Sequence, residues 1–132
     1  MTIIQSVEFF VAINLLVMGL SHFLQPKMWV DFFVFLHAKQ GVGNILNALL
    51  SLTMGSVIIA FHFIWEWPKI LVTLYGLLSL IKGGIYLLKP SIGIASIGKV
   101  NLEGKNKFRG IGLVMVILAV GILFGLIMEG AF

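Results

Sequence analysis

The sequence predicts an all-α, polytopic membrane protein with four transmembrane helices, arranged as two helical hairpins in a bundle. Three observations predict it. Of the 132 residues, 60% are hydrophobic and only 11% are charged. A soluble domain carries about 25% charged residues, and at this length it leaves more than a third of its unfolded surface in water. The apolar excess therefore faces lipid. Four uninterrupted apolar runs, near 7–24, 41–63, 68–88 and 110–128, match the roughly 20 residues that a helix needs to cross a bilayer core of about 30 Å. These runs are too long for barrel strands and lack their period-2 alternation.

Residues 1–132 read as a single transmembrane domain. The first run follows Met-Thr-Ile-Ile-Gln-Ser, which lacks a positive n-region and a small-x-small cleavage site, so it is expected to be a retained helix. Pro26 ends it. Residues 27–38 place Met28, Trp29, Phe32, Phe33, Phe35 and Leu36 between Lys27 and Lys39, the composition of a short interfacial helix. The second span then runs to Phe63. Pro68 is expected to open the third span at a position where a missing N–H costs nothing, and Pro90 closes it. Residues 91–102 form a weaker interfacial segment, and Glu103–Phe108 reads as a solvated turn before the fourth span.

Loop charge sets the orientation. Lys27 and Lys39 lie between spans one and two, and Lys89, Lys99, Lys105, Lys107 and Arg109 between spans three and four. The opposite side holds Lys69 with Glu8, Glu66 and Glu129. The positive-inside rule places the basic loops in the cytoplasm of a cell with an inner membrane, and both termini in the periplasm. Trp65 and Trp67 at one interface and Trp29 at the other fit that placement. The net charge of +4 belongs to these loops, so nucleic acid is not expected as a partner.

An internal repeat is suggested by Gly19-Leu-Ser-His-Phe-Leu-Gln-Pro26 laid over Gly83-Gly-Ile-Tyr-Leu-Leu-Lys-Pro90, with His22 opposite Tyr86. The alternative is chance, since Gly, Leu and Pro are common at helix ends. A repeat of two spans keeps one orientation, a parallel duplication.

Polar groups inside a bilayer are costly, so each is a functional candidate. Glu8, Ala12, Leu15, Gly19 and His22 share a face of the first span, Asn44, Asn47, Ser51, Gly55 and His62 a face of the second, and Tyr75, Ser79, Lys82 and Tyr86 a face of the third. At 1.5 Å per residue, His22, Asn44, Asn47, Lys82 and Tyr86 fall in the cytoplasmic half, where they could line a ligand cavity for an anionic headgroup, a small anion or a quinone oxygen. The competing reading has Lys82 snorkelling and the asparagines bonding between helices. Glu8 and His62 form a candidate outer polar pair. His37 reads as a solvated loop residue. Gly76 and Gly83 on the third span, and Gly121 and Gly125 as a GxxxG on the fourth, suit close helix packing.

No catalytic residue is assigned and no metal or cofactor is expected. Cysteine is absent, and no HExxH, Ser-His-Asp set or phosphate loop occurs. The leading expectation is a non-enzymatic accessory or self-assembling subunit of a membrane complex, in a homo-oligomer or with another membrane subunit. The alternatives are a small oligomeric transporter or channel for an anionic or lipidic solute, and a redox or lipid-modifying enzyme. The pattern Gly-x-x-x-x-Leu-x-Pro-x-x-Trp from Gly19, with Leu-Leu-Ser-Leu-Ile-Lys-Gly-Gly in the third span, resembles small bacterial four-helix membrane proteins of the DoxX-like type. That resemblance implies an accessory role beside membrane redox enzymes and carries over no catalytic residue.

Overall fold

The computed structural model describes residues 1–132, which form six α-helices and no strand. These are α1 (Ile3–Leu24), α2 (Pro26–Ala38), α3 (Gly41–Phe61), α4 (Ile70–Leu88), α5 (Pro90–Gly98) and α6 (Lys105–Met128), with a 3-10 turn at Leu102–Gly104. Four of them, α1, α3, α4 and α6, are long and apolar enough to cross a membrane. The chain is therefore an integral, multi-pass membrane protein.

Local chemistry sets the helix ends. At the start of α1 the Thr2 hydroxyl accepts from the Gln5 amide N–H at 3.1 Å, while the Gln5 side chain accepts from the Thr2 N–H at 2.9 Å. Two amides that the helix leaves unpaired are satisfied reciprocally. Pro26 and Pro90 stop α1 and α4, because neither can donate to the carbonyl four residues back. Each then becomes the first residue of the next helix, where its fixed φ and missing N–H are harmless. The residues between, Gln25 (φ −129°, ψ 54°) and Lys89 (φ −131°, ψ 80°), adopt nearly the same backbone bend.

Two expectations are corrected here. Pro68 lies in the turn ahead of α4 and does not open the helix, which begins at Ile70 once the Pro68 carbonyl has taken the Leu71 N–H at 3.1 Å. The segment read as a solvated turn is partly helical, since α6 begins at Lys105. Lysines, Asn106 and Phe108 continue a helix readily when no proline interrupts them, and the turn shrinks to Leu102–Gly104.

The helices gather into two compact units, one of residues 1–26 with 105–132 and one of residues 27–104. In the terminal unit α1 packs along α6, and in the middle unit α3 packs along α4. Both pairs are antiparallel. In the terminal unit Gln5 donates to the Glu129 carboxylate at 3.3 Å at one end, and the His22 and Phe108 rings stack at 5.7 Å toward the other.

The suggested repeat extends over most of the chain. Leu24 and Leu88 end helices, Pro26 and Pro90 begin them, and Gly41 and Lys105 begin them again, each pair 64 positions apart. Packing follows the same offset. A Cβ on Gly19 would lie 2.8 Å from the Gly112 carbonyl oxygen and 3.0 Å from Val116. A Cβ on Gly83 would lie 2.8 Å from the Ala48 carbonyl oxygen and 2.5 Å from the Leu52 amide. Gly19, Gly112 and Val116 match Gly83, Ala48 and Leu52 position for position. Each packed pair takes one span from each repeat, so the pairing is first with last and second with third.

Candidate functional site

The middle unit holds four of the five residues expected at the inner polar site: Asn44, Asn47, Lys82 and Tyr86. Its chemistry begins with Pro90. The carbonyl of Tyr86 sits four residues before this proline and has no helical donor. Asn44, on α3 and only 1% exposed, donates its side-chain amide to that carbonyl at 2.9 Å. An interhelical hydrogen bond thus repairs the defect that ends α4. The other Asn44 atom, Oδ1, is buried without a hydrogen-bond partner and faces Gly93 of α5, where a Cβ would collide with it. Asn47 lies one turn along the same buried face.

Tyr86 and Lys82 lie toward the surface. The Tyr86 hydroxyl bonds to Ser96 Oγ of α5 at 2.9 Å, and the Lys82 ammonium stands 5.7 Å from the Tyr86 ring centroid. Lys82 is exposed and forms no ion pair. The polar stripe of the third span, Tyr75, Ser79, Lys82 and Tyr86, is half-buried to exposed and lies beside the buried face. Val72, Thr73, Gly76 and Gly83 form that face, because small residues let the two backbones approach.

At the far end of the same unit His62 and Thr73 are both 0% exposed. Thr73 Oγ1 donates to the Ile64 carbonyl at 2.9 Å and accepts from the Ile64 N–H at 3.0 Å. His62 Nδ1 lies 3.0 Å from the same oxygen. A carbonyl can only accept, so the hydroxyl proton is committed to Ile64 and His62 Nδ1 must be the donor.

The fifth expected residue, His22, belongs to the terminal unit. Its Nδ1 donates to the Met18 carbonyl at 2.6 Å, and its ring stacks on Phe108. Glu8 lies in the terminal unit too, on the buried face of α1 with Val11, Ala12, Leu15 and Gly19, whereas His62 lies in the middle unit. The face expected for the first span is the buried one. His37 is in the last turn of α2, not in a loop, and Gly98 of α5 approaches it so closely that a Cβ would lie 2.7 Å from its Nε2.

Three participants, Thr73, Gly93 and Ser96, are not among the residues that the sequence singles out. Thr73 and Ser96 give no pattern of their own. The need for a donor at Tyr86, however, is written in the spacing of Tyr86 and Pro90. Of the packing glycines, Gly76 and Gly83 are filled by α3, whereas Gly121 and Gly125 have no atom within 4 Å of an added Cβ. No three His, Asp or Glu side chains gather to hold a metal ion.

No family model, curated protein or solved structure matches this chain.

Proposed function

We propose that this protein is a non-enzymatic subunit of a membrane complex, an accessory or self-assembling component that docks through the Gly121–Gly125 face of α6. One observation carries the reading. Gly19, Gly55, Gly76, Gly83 and Gly112 are all filled by the helix packed against them, while Gly121 and Gly125 stand open. Glycine in a helix interior costs about 1 kcal/mol relative to alanine, and in those five cases close packing offsets the cost. At 121 and 125 nothing in the chain does. The repeat sharpens the point, since the matching positions of α3 are Val57 and Phe61. Gly41 and Gly84 are open as well, but each stands alone on its helix, whereas Gly110, three turns before Gly121, lies on the same side of α6. A second helix, from another copy or another membrane subunit, fits the GxxxG spacing. The resemblance to DoxX-like proteins supports the same reading.

The placement that goes with it is an inner membrane, basic loops in the cytoplasm and both termini in the periplasm. The lysines at the α1–α3 and α4–α6 connections support it.

The absence of cysteine makes a clean test. Gly121→Cys and Gly125→Cys, oxidised in native membranes, should give disulfide dimers of twice 14.5 kDa, or adducts to another subunit through a bifunctional maleimide. Gly84→Cys is the control. Cross-linking at 121 and 125 no stronger than at 84 would remove the proposal.

A second reading, a small oligomeric transporter for an anionic or lipidic solute, is favoured by the Lys82 ammonium beside Tyr86. Replacing Lys82 and Asn47 with Leu should then abolish flux in liposomes, and unchanged flux would dismiss it.

A further inference from the structure

Lys82 is a cation inside a membrane-spanning helix with no carboxylate to pair with. It lies six residues before the end of α4 at Leu88, about 9 Å below it at 1.5 Å per residue. Ionisable residues at such depth are ordinarily paired. Tyr86, one turn nearer the end, offers its ring to the ammonium and its hydroxyl to Ser96. Two hydroxyls that share one hydrogen bond keep one O–H proton between them. Neither has another acceptor in the structure, so one donor remains beside the ammonium. The group therefore holds a positive charge and a spare hydroxyl donor but no anion. Lys89 and Lys99, which flank α5, add positive potential at the same end.

The repeat shows that the fold does not require this group. The positions matching Lys82, Tyr86 and Ser96 are Met18, His22 and Phe32, and α1 there makes the same helix ending and the same glycine crossing without a lysine or a hydroxyl pair. A cation and a hydroxyl pair present in only one of two equivalent places point to a ligand, not to packing.

We propose that Lys82, Tyr86 and Ser96 bind the phosphate of an anionic phospholipid in the leaflet next to the basic loops. A phosphodiester supplies the missing negative charge and the acceptor oxygens at once. Its acyl chains would run along the exposed apolar side chains of α4, including Leu78, Ile81 and Ile85. The lipid source is favoured over a soluble anion because Lys82 is exposed on a helix long and apolar enough to cross the bilayer, between the exposed apolar side chains of Leu78, Ile81 and Ile85.

Native mass spectrometry of the full chain, released from mild detergent and titrated with phosphatidylglycerol or phosphatidylcholine, tests the site. The wild type should retain phosphatidylglycerol preferentially. Lys82→Met, which installs the residue of the matching position, should weaken that binding about fivefold, the effect expected of one lysine near an anionic surface. Lys82→Arg should keep most of it, and Ser96→Ala and Tyr86→Phe should each weaken it while leaving Lys82 in place. Lys99→Met reports general surface charge and should matter less. Equal retention of the two lipids, or a Lys82→Met loss no larger than that of Lys99→Met, would overturn the assignment. Displacement of the lipid by millimolar inorganic phosphate would overturn the lipid source. If Lys82→Met fails to fold by circular dichroism, unchanged binding in both Ser96→Ala and Tyr86→Phe refutes the site by itself.

Discussion

Replacing Gly83 with alanine should force α3 and α4 apart, and its neighbour Gly84 supplies the control. A Cβ on Gly83 would lie 2.5 Å from the Leu52 amide nitrogen and 2.8 Å from both the Ala48 carbonyl oxygen and Leu52 Cα. All three are backbone atoms, so no side-chain rotation can make room. Restoring an ordinary contact of 3.4 Å at the closest atom needs a local separation of about 0.9 Å, against a close-packed interface with little room to give. Overpacking of this kind costs about 1–3 kcal/mol. Gly84 meets nothing within 4 Å, so an added methyl there is free of contacts. Both substitutions gain the same helix propensity, about 1 kcal/mol, and the difference between the two variants isolates the steric cost. Gly83→Ala should therefore be less stable than Gly84→Ala by about 1–3 kcal/mol, read as the shift in unfolding midpoint during SDS titration from mild detergent micelles. Equal midpoints would refute the claim that backbone contact at Gly83 sets the distance between the helices.

Further expectations follow from the hydrogen bonds. Asn44→Leu should destabilise by roughly 0.6–1.7 kcal/mol, the range for hydrogen bonds between membrane helices. The loss should shrink in a Pro90→Ala background, because residue 90 can then donate to the Tyr86 carbonyl itself; an additive double-mutant cycle would contradict this. Thr73→Val keeps the shape but strands the Ile64 N–H and carbonyl, and should cost about 1–3 kcal/mol. Hydrogen exchange should also rise in the loop before α4, whereas Thr53→Val on the exposed face of α3 should do neither. Gly112→Leu should separate α1 from α6, since its Cβ would already lie 2.8 Å from the Phe23 amide; a pair of cysteines placed at Gln5 and Glu129 should then cross-link less efficiently than in the Gly112 parent.

Much of the architecture is legible in the chain because the bilayer is a severe solvent. Backbone groups in hydrocarbon must be satisfied within the segment, so an apolar run of this length can only be a helix, and prolines 26 and 90 mark breaks because neither has a backbone N–H to continue it. The face of α1 carrying Glu8, Ala12, Leu15, Gly19 and His22 was equally readable, because a 3.6-residue period puts those spacings on one side whatever the helix packs against. Which side of α4 is buried was not readable, for the opposite reason. Lipid tails are as apolar as a protein interior, so polarity does not tell which side of a membrane helix is buried, and the buried side went to the small residues Gly76 and Gly83.

Pairing lay outside what a local pattern can express. Eight residues around Pro26 and Pro90 hinted at duplication, but only tertiary contacts, with Gly19 set on Gly112 and Gly83 on Ala48, show that each helix pair takes one span from either half. Thr73 looked like any threonine in an apolar run until the chain brought Ile64 and His62 to its hydroxyl. Ser96 became part of a site only when α5 folded back beside Tyr86. Composition and periodicity determine that these helices cross a membrane and where they stop, because those are properties of single segments. Which backbones touch, and which hydroxyl meets which carbonyl, depends on distances between segments, and those exist only once the helices have packed.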